Sequence, residues 1–416
     1  MGGIANFAVM NEKDYRHIPV DRLALQLAGR TDMDVPHLLR QVEGWQRLRS
    51  KVPSWAAVEG LEYPPRLSLE QCSGEEAAAY KVRVAVRLLS ARSQTGRSLS
   101  MVDLTGGLGV DFSALSRHFA EADYVECREE LCRLARHNFP LLGLSAGVRV
   151  SCTSAADYLH AMSPVDFIYL DPARRDNVGR KTVRIEDCEP DVAALRDELL
   201  AKGGWVMIKL SPMLDIAGAV QTLGTCVREV HVVGVGGECK ELLLLLAGRD
   251  ASECGSMGRD PMVVATDGRS EFSFYPEEEA QAQPVMARQV GSWLYEPDAA
   301  LLKAGAFKLA AVRYGLAKLQ AHSHLYTSEE PVREFPGRVF QVERTFSFSK
   351  ADVRRLREVV GGRANLTVRN FPLSVAALRK KLKLAEGGQA YLFATTLADD
   401  RHALILAHRR TSDEER

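Results

Sequence analysis

Apolar positions recur at helical spacing over 35–49, and Pro64-Pro65 closes the loop behind them, so the first 92 residues read as helical and require no strand. Ser73-Gly-Glu-Glu76 has the form of a capping box. Ser73 would accept an orphan amide and Glu76 would reach back, which predicts a helix through Ala77, Tyr80, Val84 and Leu88. From 100 to 248 the pattern changes to short apolar runs alternating with helical stretches. The runs fall at 101–104, 124–126, 148–152, 167–170, 205–210, 230–235 and 241–246. Such alternation implies crossover connections and a mainly parallel sheet covered on both faces. The last two runs are separated only by Gly234-Val-Gly-Gly237, too short for a crossover helix, so they are expected to form an antiparallel hairpin.

Between 249 and 290 the segments ASECGSMGRD and PEEEAQAQP are rich in Gly, Ser, Pro and acid, which marks a boundary bridged by a strand at 272–275. Beyond it, a strand at 293–295, a helix over 297–314 and a strand at 323–327 predict a small α+β unit. A second follows: a strand at 339–348, a helix capped by Ser349, a strand at 366–371, a helix capped by Ser374, and strands at 391–396 and 403–407. This alternation has ferredoxin-like character.

Length and composition narrow the class. A chain of 416 residues exceeds one ordinary core and fits two or three domains, and 46% hydrophobic with 26% charged residues excludes disordered and membrane-embedded proteins. The apolar run 242–247 is far too short to span a bilayer. The opening MGGIANFAVMNEKD has no basic region before an apolar stretch, and Asn6 stands where an acylation signal wants Ser or Thr, so a cytoplasmic location is expected. The eight cysteines include no C-x-x-C pair, and His322-x-His324 is the nearest approach to a metal spacing, so neither disulfides nor a metal site are expected. Lys+Arg and Asp+Glu balance at 54 each, but unevenly: from 301 to 410, twenty Lys/Arg face nine Asp/Glu. One end of the protein is basic.

The chemistry concentrates at strand ends. Val102-Asp-Leu-Thr-Gly-Gly-Leu-Gly109 is an apolar strand that runs into a glycine-rich turn and opens a helix, where backbone can approach a ligand closely. A dinucleotide fold would want a third glycine at Phe112, which weakens that reading. The motif resembles the first motif, D/E-x-G-x-G-x-G, of class I S-adenosylmethionine-dependent methyltransferases, with Thr105 in place of the first glycine. DLTGGLGVDF is similar to the T-x-G-L-G-x-D turn of a bacterial ribosomal RNA guanine-N2 methyltransferase family. The resemblance implies a seven-stranded Rossmann-like sheet and S-adenosylmethionine as cofactor. Thr105, Gly107 and Gly109 of the turn would bind the cofactor, Asp103 would lie near its amino acid part, Glu126 would accept from both ribose hydroxyls, and Ser154 would stand at the adenine, with Asp157 or a backbone group as alternatives.

Asp166-Phe-Ile-Tyr-Leu-Asp-Pro-Ala-Arg-Arg-Asp176 places an acid, a proline and two cations at the carboxyl edge of the sheet, where open α/β folds bind ligands. It resembles the D/N-P-P-F/Y/W motif of amino-group methyltransferases. Asp171 and Pro172 match and would orient the acceptor, while Arg174 stands for the aromatic and can stack on a base or hold a phosphate. Arg174 and Arg175 could instead pair with Asp176, Asp187 or Glu189. A D-P-x-R sequence is also found in uracil-C5 methyltransferases, but their cysteine nucleophile is missing from Ile208-Lys-Leu-Ser-Pro212, which disfavours covalent pyrimidine chemistry. Lys209 and Ser211 of that stretch are candidate substrate contacts.

Ser292-Trp-Leu-Tyr-Glu-Pro-Asp-Ala-Ala-Leu-Leu-Lys-Ala-Gly305, Asn365-Leu-Thr-Val-Arg-Asn-Phe-Pro372 and Gln71-Cys-Ser-Gly-Glu75 resemble a bacterial methyltransferase family with a ferredoxin-like domain and a C-terminal THUMP-like domain. The implied organisation is a helical region at 1–92, the methyltransferase domain at 93–250, a ferredoxin-like domain at 270–332 and a THUMP-like domain at 333–410. THUMP domains bind RNA in tRNA-modifying enzymes. Arg369, Arg379, Lys380 and Lys383, with Lys381 and Phe371 nearby, form a basic cluster able to neutralise phosphates. The expectation is therefore an RNA methyltransferase. Its rivals are an RNA-binding protein with a degraded methyltransferase fold, and a methyltransferase for a protein or small molecule.

Overall fold

The computed structural model describes residues 15–94, 96–174, 184–248 and 260–409. One compact unit takes the chain up to Arg228 and resumes at Leu242; the other takes Glu229–Glu241 and the chain from Asp260 onward.

In the first unit the N-terminal helices include Val35–Lys51, whose Asp34 cap accepts from the His37 amide, and Glu75–Ser93. The expected capping box does not form. Gly74 is the N-cap of Glu75–Ser93 and no side chain caps it, because the Ser73 hydroxyl is drawn instead to Asp111. The central strands are β1 (Ser100–Asp103), β2 (Glu121–Glu126), β3 (Val148–Cys152) and β4 (Val165–Leu170). After them come the short strands β5 (Ala173–Arg174) and β6 (Cys188–Glu189), which pair with each other, and β7 (Gly203–Leu210). β3, β2, β1, β4 and β7 lie in that order and all pair in parallel. Strand order reverses direction between β1 and β4, the place where open α/β sheets bind ligands at the carboxyl ends of their strands.

β8 (Val227–Val235) and β9 (Glu238–Ala247) are joined by Gly236 and Gly237, both at positive φ, as the short linker predicts. Within the first unit the Leu242–Ala247 part of β9 runs antiparallel to β7.

In the second unit β8 pairs in parallel with β10 (Met262–Thr266), a strand not expected from the sequence because polar and glycine-rich residues flank it on both sides. β10 pairs antiparallel with β11 (Glu271–Phe274). The helix expected over 297–314 is two, Ala299–Ala304 and Leu309–Arg313, because Gly305 ends the first in the left-handed conformation at φ 84°.

Among the described residues a seven-stranded sheet then follows. Its members are β12 (Trp293–Pro297), β13 (Ala317–Lys318), β14 (Tyr326–Ser328), β15 (Gly337–Ser347), β16 (Asn365–Arg369), β17 (Ala390–Thr396) and β18 (His402–Arg409). The two α+β patterns in the sequence therefore share one sheet, since β15 pairs with β12 near its start and with β18 along the rest. Both faces of β18 are buried. Leu404 and Leu406 pack under the helices Lys350–Val360 and Val375–Leu382, while Ala403, Ile405 and Ala407 face the other way onto Leu294 and Phe340.

Candidate active site

β1 ends at Asp103, where the chain enters the glycine turn. The glycines answer two demands. A Cβ on Gly106 would stand 2.2 Å from the Tyr124 ring, and one on Gly109, at φ 89°, would stand 2.8 Å from Phe139, so these two let the turn pack onto β2 and its following helix. Gly107, at φ 56°, would place a Cβ into open space with only the Thr105 carbonyl near it. That open side is where an incoming ligand meets backbone.

Glu126 closes β2 beside the turn. It is 6% exposed; its Oε2 accepts from the Gly107 amide at 2.9 Å, and its Oε1 from the amide and Nε of Arg128 at 2.9 and 3.0 Å. Burial pushes this carboxyl up, but the Arg128 guanidinium and the two amides outweigh burial and hold it below the usual range. Asp103 is the opposite case. Burial drives it well above the ordinary value, neighbouring Asp111, Asp171 and Glu126 add to the rise, and the Thr105 amide at 3.0 Å offsets only part.

Thr105 replaces a glycine of the family motif, and its hydroxyl has a definite task. It accepts from the Asp171 amide at 2.5 Å and reaches the Asp103 carboxylate at 3.5 Å, tying the end of β1 to the end of β4. The Asp171 carboxylate pairs with Lys209, which closes β7. Asp103, Thr105, Gly107, Glu126, Asp171 and Lys209 thus stand together on one sheet edge. Pro172 is buried next to Asp171. The Ser211 hydroxyl accepts from the Met213 amide at 3.2 Å in the turn after β7.

Other expected residues stand differently. Ser154 caps the helix Ala155–Ala161, accepting from the Asp157 amide and donating to its carboxylate, so neither is idle. The backbone of Arg174 lies in β5, paired with Cys188, and Arg175 lies outside the described residues. In the second unit Arg369 is drawn into an ion pair with Glu296, which is 2% exposed, and Arg379 donates to the Ala364 carbonyl at 3.3 Å. Lys383 does not share the helical face of Arg379 and Lys380: it sits past the helix end as a left-handed C-cap at φ 54°. The basic cluster read from the sequence is therefore divided, with the two arginines committed inside the fold and Lys380 and Lys383 exposed.

Sequence reading also missed a buried network. Asp111 accepts from Ser73 at 2.7 Å, Lys81 at 3.1 Å and Tyr169 at 2.7 Å. Burial would raise the Asp111 carboxyl, but Lys81, Lys209 and the two hydroxyls hold it low. A signal existed: Ala78, Lys81 and Ala85 share one stripe of the helix Glu75–Ser93, so the lysine interrupts an apolar face. Among the described residues no cluster of three or more His, Cys, Asp or Glu could hold a metal ion, and no helix is long and apolar enough to cross a membrane.

Comparison with known proteins gives the chain its family. Residues 293–336 match a family described as a ferredoxin-like domain, and residues 337–409 one described as THUMP domain-like. Two Mycobacterium tuberculosis proteins, from strains CDC 1551 and H37Rv, named as uncharacterised S-adenosylmethionine-dependent methyltransferases, are 28% identical over 314 residues, covering 74% of this chain and 80% of theirs. A crystal structure from Porphyromonas gingivalis W83, of a protein named as a methyltransferase, superposes with a TM-score of 0.83 at 38% identity over 96% of each chain. The chain belongs to this methyltransferase family. Its cofactor is S-adenosylmethionine, and the methyltransferase carries the ferredoxin-like and THUMP-like domains after its catalytic sheet.

Proposed function

We propose that this methyltransferase modifies a base of structured RNA, tRNA or rRNA, and that its basic C-terminal unit positions the RNA. The observation that carries the RNA substrate is the THUMP domain-like match at 337–409, in the part of the chain where cations outnumber acids. S-adenosylmethionine supplies a methyl group already activated as a sulfonium, so the protein has chiefly to align two reactants and exclude water. The open backbone at Gly107, the carboxylates of Asp103 and Glu126, and the short helix after Gly109 fit such a cofactor: two acids suit its cationic and hydroxyl-bearing parts, and among the described residues no side chain crowds the position of a Gly107 Cβ. Asp171 would accept hydrogen bonds from the acceptor group. Lys209 fixes the direction of its carboxylate, and Thr105 fixes its backbone. Pro172 and Ser211, which follow the ends of β4 and β7, would contact the base together with Arg174 and Arg175, and Ser154 would contact the adenine.

Calorimetry should detect S-adenosylmethionine binding to the wild type and weaker binding to Glu126→Ala. Mass spectrometry of nucleosides from total RNA of a deletion strain, with and without complementation, should reveal one methylated nucleoside that depends on the gene. Cofactor binding without any such nucleoside would exclude RNA as the substrate and favour a protein, a small molecule or a non-catalytic role.

A further inference from the structure

The helices Lys350–Val360 and Val375–Leu382 lie side by side on one face of the seven-stranded sheet, sharing the core of Leu356, Leu378 and Leu382. Arg357 of the first donates to the Lys381 and Leu382 carbonyls at the end of the second. The helices and their flanking turns, 349–363 and 374–388, hold nine Lys/Arg against three Asp/Glu. Where these cations go separates structural charges from free ones. Arg354, Arg355 and Arg379 approach Glu358, Asp352 and Glu386, so all three acids are taken. Lys350, Arg363, Lys380, Lys381 and Lys383 are exposed and have no ion-pair partner among the described residues.

A plain explanation for lysines in a last helical turn is that they satisfy the final carbonyls and the helix dipole. Here Arg357 already serves the Lys381 and Leu382 carbonyls, so the lysines are not needed for that purpose. Beneath Lys381 lies an aromatic pair. Phe348 and Phe371, both half-buried, meet edge to face at 4.9 Å, and the Lys381 ammonium stands 4.5 Å above the Phe348 ring.

We propose that the outer face of this helix pair is the surface on which RNA lies, with Lys350, Lys380, Lys381 and Lys383 neutralising consecutive backbone phosphates. The proposal rests on the RNA reading above and replaces the role expected for Arg369 and Arg379, which hold the module together. Unpaired, solvated lysines release counterions when they meet phosphates, whereas an arginine already paired with a buried carboxylate has little left to contribute. The partly exposed rings offer a place for an unpaired base.

The test uses the full-length protein and bulk tRNA as probe, with binding followed by fluorescence anisotropy at several salt concentrations. Replacing Lys350, Lys380, Lys381 and Lys383 together by Gln should flatten the dependence of log affinity on log salt by about 0.7 to 0.9 for each phosphate that is no longer neutralised. Thermal stability and S-adenosylmethionine binding should stay unchanged. Arg369→Gln should do the reverse, lowering the melting temperature and leaving the slope alone. If the fourfold variant binds tRNA with the wild-type slope, this face is not the docking surface, although the RNA reading stands. If the wild type binds neither tRNA nor rRNA at low salt, both fall. If polyglutamate of matched charge competes as well as tRNA, the occupant is an acidic chain and the proposal is overturned.

Discussion

Asp111 in the first unit and Glu296 in the second are both carboxylates almost sealed from solvent, at 8% and 2% exposure, and each is satisfied by side chains far away in sequence. Their partners differ in kind. Asp111 is held by Ser73, Lys81 and Tyr169, all themselves buried, so the network has little access to water. Glu296 is held by Arg338 and Arg369, whose side chains keep 41% and 34% of their exposure and reach in from the surface. The first arrangement binds the N-terminal helix Glu75–Ser93 to Tyr169, two residues before Asp171, and so to the candidate edge. The second closes one part of a sheet onto another. A buried acid can serve precision or cohesion, and the burial of its cation tells which.

The sharpest way to break this comparison is Lys81→Met. It strands the Asp111 charge without solvent, and a loss of about 3 to 5 kcal/mol is expected in urea denaturation. Adding Asp111→Asn should recover much of it. A loss below about 1 kcal/mol would mean that Asp111 reaches water and that the contrast with Glu296 is false.

A smaller effect is expected from Glu296→Gln, because the two arginines it releases can return to solvent. Stability should fall by about 1.5 to 3 kcal/mol, the range for hydrogen bonds to charged groups, with Arg369→Gln alone costing less because Arg338 remains. Equal losses for the two variants would show that Arg338 carries nothing.

The smallest effect is visible only as a slope against pH. Burial raises the folded-state pKa of Asp103 above its ordinary 3.8, so its contribution to stability is complete below that value and is lost as pH rises through the raised one. Melting temperatures from pH 4 upward should therefore favour Asp103→Asn increasingly over the wild type, then level off. Asp111 and Glu126, held low, act in the other direction and lose their contribution as pH falls. Parallel profiles for the wild type and Asp103→Asn would show that Asp103 is solvated and sits outside the buried charge network.

Much of the candidate edge was legible in the sequence because its signals are local. An apolar run followed by glycines, an acid closing the next run, and Asp171-Pro172 closing another need only strand periodicity and the rule that ligands gather at carboxyl ends. The caps at Ser349 and Ser374 were legible for the same reason, each bonding an amide three residues on. Ser73 has the same local form, yet a carboxylate 38 residues away competes for its hydroxyl and wins.

The amino-acid sequence by itself determined the alternation of strands and helices, the glycine turn and the surplus of cations at one end, since each depends on neighbours along the chain. Tertiary structure alone decided how those charges are used. Arg369 reads as a phosphate ligand until Glu296, 73 residues earlier, is brought to 3.0 Å from it. Thr105 reads as a damaged glycine until its hydroxyl meets the Asp171 amide. A side chain's valency can be satisfied only once, and which partner satisfies it depends on distances that folding, not chain order, creates.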